Sequence, residues 1–200
     1  MMELRMIEHG VAKSFIETWH YSRRMPTGKN ILFGWFTTDA SLYAVADYGI
    51  GVNPYQAKFL MPHTGGVKLD NTSLLELKRL CRTEPKITEA PLTKFLSLCQ
   101  AELRKLGYSA IVSFSDPEHG HSGGIYKAAN FKWLGQTNPE WHLIDESGEK
   151  RHRRFAFRYA RRNGISIGDA RLVLGLKRVK TQPKDRWLIL LKKPRQQVPA

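Results

Sequence analysis

The stretch from Leu92 to Leu106 repeats apolar residues at helical spacing, with Leu92, Phe95, Leu96, Cys99, Leu103 and Leu106 on one side. Gly107 follows at once, where a helix C-terminus takes glycine for its freedom at positive φ. The next segment, SAIVSFS at 109–115, is an apolar run short enough for a buried strand. A helix that hands over directly to a buried strand needs a sheet covered on its faces, and this restricts the fold more than any other feature.

The remaining segments fit that demand. ELRMIE at 3–8 reads as a strand, and His9 to about His20 as a helix presenting Val11, Phe15, Ile16 and Trp19. ILFGWFTT and SLYAVADYG form a hairpin across Asp39-Ala40. Residues 50–72 are rich in Gly, Pro and Asn and read as irregular, and LLELKRLCR at 74–82 alternates like a half-buried strand. SGGIYKAAN reads as a short helix and FKWLGQT as a further strand. The alternation predicts an α/β fold with a mixed central sheet flanked by helices.

Charge divides the chain. Residues 150–200 hold sixteen Lys or Arg against Asp169 and Asp185, whereas residues 1–149 balance to zero, so the whole formal charge of +14 lies in the last quarter. This predicts a catalytic body at 1–148 and a basic α+β extension at 149–200 packed on it, with a polyanion as partner. RRFAFRYARR and IGDARLVLGL read as helices, and DRWLILL is expected to pair with LKRVK across TQPKD. Lys150, Arg151, Arg153, Arg154, Arg158, Arg161 and Arg162 are clustered, and at helical spacing Arg151, Arg154, Arg158 and Arg162 fall along one face. Arg23, Arg24 and Lys29 lie on a Gly/Pro loop and either hold phosphates or form a solvated loop. No apolar run has the length of a membrane span, and Cys81 and Cys99 are too few for a zinc cluster. They read as reduced thiols in a cytoplasmic protein with no membrane partner.

Several residues carry possible chemistry. His20 is either a general base or metal ligand, or a helix-end histidine favoured by the helix dipole. Asp116 follows a buried strand, so its carboxylate either points into a ligand crevice or starts an Asp-Pro turn. His119 and His121, with His20, Asp116 and Glu118, offer histidine and carboxylate donors suited to iron. Exposed loop histidines are the commoner arrangement, and no metal is assigned. Arg82 and Thr93 either anchor an anionic donor, Thr93 at a helix N-terminus, or serve as a surface ion pair and a helix cap. Trp133, Trp141 and Trp187 are read as core or sheet residues without a role.

The element order and HSGGIYKAANFKWLG resemble the GNAT acetyltransferase superfamily, with Asn130 in place of the usual glycine before Phe131. The resemblance implies that Tyr126 protonates a leaving group, which a phenol suits. The chain departs from that pattern at CRTEPKITEAPLTKF, which has no glycine where the superfamily wraps a diphosphate. WHYSRRMP, LCR and DPEHGHSGGIY together resemble the phage Mom DNA-modification family. That resemblance implies an enzyme that places a carbamoylmethyl-type group on N6 of adenine in phage DNA and so blinds restriction enzymes. It favours a catalytic reading of His20, within WHYS, and of Asp116 and Tyr126, whose ten-residue gap is the family's. Double-stranded DNA is the expected partner, with tRNA the alternative. The donor is expected to be an acyl donor such as acetyl-CoA or an aminoacyl-tRNA. Rival readings are a GNAT acyltransferase acting on RNA or protein, and a nucleic-acid-binding protein without catalysis.

Overall fold

The computed structural model describes residues 2–151 and 154–192. Its main sheet holds β1 (Glu3–Met6), β2 (Asn30–Phe36), β3 (Leu42–Gly49), β4 (Leu74–Arg82), β5 (Ala110–Ser115), β6 (Lys132–Gln136) and β10 (Asp185–Leu190). The strand order is β1-β2-β3-β4-β5-β10-β6. Only β4 and β5 run parallel; the other neighbours are antiparallel.

Two helices cover the first half of the sheet. α1 (His9–Trp19) buries Ala12, Phe15 and Ile16 against Leu32, Val45 and Cys81. The expected face is thus rotated: Val11 and Trp19 are exposed, and the small Ala12 takes the contact. α3 (Leu92–Lys105) buries Phe95, Leu96, Cys99 and Leu103 on the opposite side, with the Phe95 ring stacked on Trp35 at 5.4 Å. Gly107 ends that helix at φ +93°, as the sequence predicts, while Leu106 lies outside the buried stripe. Residues 50–72 contain α2 (Gln56–Leu60) followed by a single 3-10 turn.

A bulge and a parting of strands shape the centre. Asp47 pairs with Arg79 and Tyr48 with Leu77, so Lys78 is the extra residue. After the bulge, Cys81 turns to the α1 side, whereas Leu75 and Leu77 face the α3 side. The parallel pairing of β4 and β5 runs from Leu74↔Ala110 to Leu77↔Ser113. Beyond it β4 continues along β3, and β5 continues along β10. The two strands therefore open a crevice at their C-terminal ends, the customary place for a ligand in such sheets.

The C-terminal segment corrects one expectation. β7 (Trp141–Ile144), β8 (Lys150–Arg151) and β9 (Lys177–Lys180) form a small sheet of order β8-β7-β9. LKRVK therefore pairs with β7, while DRWLILL, as β10, enters the main sheet between β5 and β6. Burial explains the choice. Trp187 and Leu188 are apolar on opposite faces of one strand and enter two different core clusters, which only an interior strand allows. β9 is exposed along its whole length and suits an edge. The small sheet, α5 (Arg154–Asn163) and α6 (Ile167–Val173) are an excursion between β6 and β10, closed at its base by Thr137 N–H donating to the Lys184 carbonyl.

If β10 is a core strand, Trp187→Ala costs about 3–5 kcal/mol of unfolding free energy, the usual range for emptying a buried aromatic site. Urea denaturation of the full chain tests this. A loss below about 1 kcal/mol would mean that the strand is peripheral.

Candidate active site

The crevice is walled by residues from every part of the chain. β5 ends at Ser115, and Asp116 starts the 3-10 turn Pro117–His119, its carboxylate accepting from the Glu118 N–H at 3.2 Å. Asp116 is buried, and the Lys184 ammonium lies 2.9 Å from its Oδ2. Burial pushes the Asp116 carboxyl up, but the Lys184 hydrogen bond and charge outweigh it, and the group stays below the usual carboxylate range. It is therefore ionised at neutral pH.

His20 follows the last turn of α1 in extended conformation, its N–H bonded to the Ile16 carbonyl. His20 is 7% exposed, which is too little to hydrate an imidazolium. Burial, then the charges of Arg79, His121 and His119, lower its pKa to about 4. Tyr21 packs against it with ring centroids 4.3 Å apart and also meets His119 at 4.2 Å and His121 at 4.9 Å. His119 and His121 are exposed at the mouth. Among the described residues no group of three or more His, Cys, Asp or Glu is placed to hold a metal ion.

Tyr126 lies on α4 (Gly124–Ala128), with its ring 5.9 Å from Trp187 and 5.5 Å from Phe131. Burial raises its pKa, against the opposing hydrogen bond of Ser113, so the phenol keeps its proton at neutral pH. Trp187 holds this wall: its Nε1–H donates to the Ser115 hydroxyl at 2.9 Å. The indole also sits against Gly123, where an added Cβ would meet ring carbon at 2.2 Å in a residue at φ +75°. Glycine is required there on both counts.

The structure thus gathers His20, Asp116 and Tyr126 around the parted strands and adds Tyr21, Arg79, Lys184 and Trp187. Tyr21 stood inside the recognised WHYS stretch; Lys184 and Trp187 gave no signal, because their partners are some 70 residues earlier, as in the Ser115–Trp187 pair separated by 72 positions. Two candidates for the donor lie in less open settings. Arg82 is 3.0 Å from Glu84 and also donates to the Thr83 carbonyl. Thr93 sits in the first turn of α3, whose N-terminus behind Pro91 has no side-chain cap. With no glycine between β4 and α3, the chain has no diphosphate cradle of the usual GNAT form.

The basic residues separate into two groups. Arg154, Arg158 and Arg162 are exposed along one side of α5, opposite the buried Ala156 and Ala160. Arg151 does not share that face. It lies in β8 and bonds Asp145 at 2.7 Å and Glu149 at 2.8 Å, whereas α5 begins at Arg154. Arg153 lies outside the described residues. Arg23, Arg24 and Lys29 are exposed on the loop after His20, with Arg24 3.9 Å from Glu149. Glu118 fastens the Pro117–His119 turn to the excursion, accepting from Gln182 N–H at 2.7 Å and Lys150 Nζ at 3.3 Å. No helix of the described residues is long and apolar enough to cross a membrane.

A model of the Mom protein family matches residues 1–199. The chain belongs to that family. This Mom-family chain is 29% identical over 149 residues to the methylcarbamoylase Mom of Escherichia phage Mu, a match spanning 72% of this chain and 58% of the phage protein. That is less than two thirds of the relative's length. Among solved structures, the ribosomal-protein-S18-alanine N-acetyltransferase of Escherichia coli superposes with TM-score 0.56 at 8% identity, covering 100% of both chains. The spermidine N-acetyltransferase of Vibrio cholerae, solved with CoA and spermine, gives TM-score 0.52 at 12% identity over 96% of this chain and 97% of that one. These likenesses show that this member of the Mom family has the GNAT acetyltransferase fold.

His20 gives a pH signature. Its folded pKa, about 4, lies below the ordinary 6.5. Between those values the unfolded chain takes up a proton that the folded chain refuses, so stability falls as pH drops through this window. The wild type is expected to lose on the order of 2 kcal/mol more than His20→Gln between pH 7 and 4.5. Denaturation curves at the two pH values measure it; equal losses would place His20 in a solvated setting.

Proposed function

We propose that this protein modifies DNA by transferring an acyl-type group to N6 of adenine, marking phage DNA against host restriction. The observation that carries the reading is the meeting of ionised Asp116, protonated Tyr126 and buried His20 at the parted β4/β5 strands of a Mom-family chain. The Mu relative is named a methylcarbamoylase. The amine of adenine is paired inside a duplex, so the base is flipped into the crevice. Exposed Arg154, Arg158 and Arg162 on α5, with Arg23, Arg24 and Lys29 beside His20, track phosphates and carry little sequence information.

The chemistry follows from the charge states. The N6 lone pair is delocalised into the ring, and the amine becomes acidic only as its bond to the donor forms. A weak base is enough at that stage, and Asp116 takes the proton while Lys184 holds the carboxylate in place. Tyr126 gives a proton to the leaving group. Donors with a carbonyl next to the leaving group, such as a coenzyme A thioester or an aminoacyl-tRNA ester, meet this requirement. With Arg82 engaged by Glu84 and no glycine cradle, the diphosphate of coenzyme A would rest on the N-terminus of α3 near Thr93.

Expression in a bacterial host, followed by mass spectrometry of nucleosides from plasmid DNA, tests the reading. A new adenosine species is expected, reduced about 100-fold or more by Asp116→Asn and by Tyr126→Phe. Unmodified DNA from cells rich in soluble protein overturns it.

A further inference from the structure

Arg186 of β10 holds its guanidinium over two rings, with Cζ 4.2 Å from the centroid of Phe59 and 5.9 Å from that of Phe114. Phe114 is its direct partner on β5, and Phe59 belongs to α2. Neighbouring cations have carboxylates: Lys184 meets Asp116, and Lys150 meets Glu118. Among the described residues Arg186 has neither an ion pair nor a side-chain hydrogen bond, only the two rings. Burial pulls its pKa below the ordinary guanidinium value, and no acidic neighbour offsets this. Stacking occupies the faces of a guanidinium and leaves its edge, where the N–H donors lie, for another partner. A cation held in this way suits an anion with paired oxygens.

Aromatic surface continues outward from the cation. Tyr55 and Phe59 are four residues apart at the start of α2, and the Phe59 N–H donates to the Tyr55 carbonyl at 3.0 Å, so they share one side of the turn. Tyr55 is 73% exposed and Phe59 50%, whereas Ala57 and Leu60 of the same helix are buried. A cation without a counter-charge beside exposed rings has the makings of a strand-binding surface, guanidinium for phosphate and ring for base. Its position agrees. Val112 and Leu188 join the cluster of α2 while Ile111 and Trp187 join that of α3, so α2 lies on the sheet face opposite α3, as α1 does. The exposed Arg23, Arg24 and Lys29 follow α1. Asp116 and Lys184 each lie two residues from the Phe114–Arg186 pair, about 7 Å of strand.

We propose that Arg186, held by Phe59 and Phe114, binds a phosphate of the DNA strand beside the crevice, and that Tyr55 stacks on a base left unpaired when the target adenine leaves the duplex. The proposal rests on DNA being the substrate, as argued above. Extrusion of adenine breaks a base pair and unstacks its neighbours. A ring within reach recovers part of that loss without reading sequence, since every base has a π face. The two phenylalanines fix the plane of Arg186 in advance, so little further ordering is needed when phosphate arrives.

Fluorescence anisotropy of the full chain with labelled oligonucleotides tests this without any acyl donor. One duplex is fully paired, and its twin has one adenine opposite an abasic site. Wild type is expected to bind the twin about tenfold more tightly, and Tyr55→Ala to lose most of that preference with its salt dependence unchanged. Arg186→Gln is expected to weaken both duplexes and to reduce the slope of log Kd against log salt by about one, with Arg186→Lys restoring the slope. Urea midpoints confirm that the variants are folded, and Tyr55, at an exposed position, carries the test if Arg186→Gln does not fold. An unchanged slope in folded Arg186→Gln, or an unchanged preference in Tyr55→Ala, overturns the proposal while leaving DNA modification standing. Wild type that binds neither duplex, or binds RNA of the same sequence more tightly, overturns both.

Discussion

β5 and β6 each present a row of backbone donors and acceptors to the gap between them, and β10 alone fills it. Six residues of β10 pair with Ala110–Ser115 on one side, and three pair with β6 on the other. Without this strand two sheet edges would stand open and the indole of Trp187 would leave both Ser115 and Gly123 without a neighbour. The geometry of the crevice depends on that insertion. β10 also fixes the residue before it, Lys184, opposite the turn that carries Asp116.

Two requirements then meet in the crevice. The parting of β4 from β5 creates space at the sheet centre, where charge is hard to solvate. Each ionisable group there has its own answer. Asp116 keeps its charge because Lys184 is in contact; His20 stays neutral because burial, with Arg79 beside it, disfavours an imidazolium; Tyr126 keeps its proton because burial disfavours phenolate. At neutral pH Asp116 and His20 stand without their titratable protons while Tyr126 keeps its own, so one crevice holds groups able to accept a proton beside one able to give it.

Local signals made much of this visible in the sequence. The stripe of α3 and its Gly107 cap, the hairpin β2–β3, and the buried strand before Asp116 depend on contacts within a few residues of each other, and periodicity reads those directly. Non-local contacts defeated the reading where several partners were available. DRWLILL and LKRVK are adjacent and complementary, so a hairpin between them looks natural; only two-sided burial of Trp187 and Leu188 sends the former into the main sheet. Arg151 fits a helical spacing but belongs to a strand, since the helix begins after it. The buried face of α1 differs from the periodic one because Ala12, too small to register in a hydrophobic pattern, is fully buried in the cluster with Leu32, Val45 and Cys81. Lys184 and Trp187 meet Asp116 and Ser115 across about 70 residues of chain, and no local pattern encodes a contact of that separation.

The late position of β10 in the chain also sets an order of events during synthesis. Residues 1–136 supply six of the seven main-sheet strands and all of His20, Asp116 and Tyr126. The ammonium that orders Asp116 and the indole that backs Tyr126 are made last, after the whole excursion has been threaded. A nascent chain on the ribosome therefore carries His20, Asp116 and Tyr126 unassembled until residues 184–190 have emerged and closed the sheet.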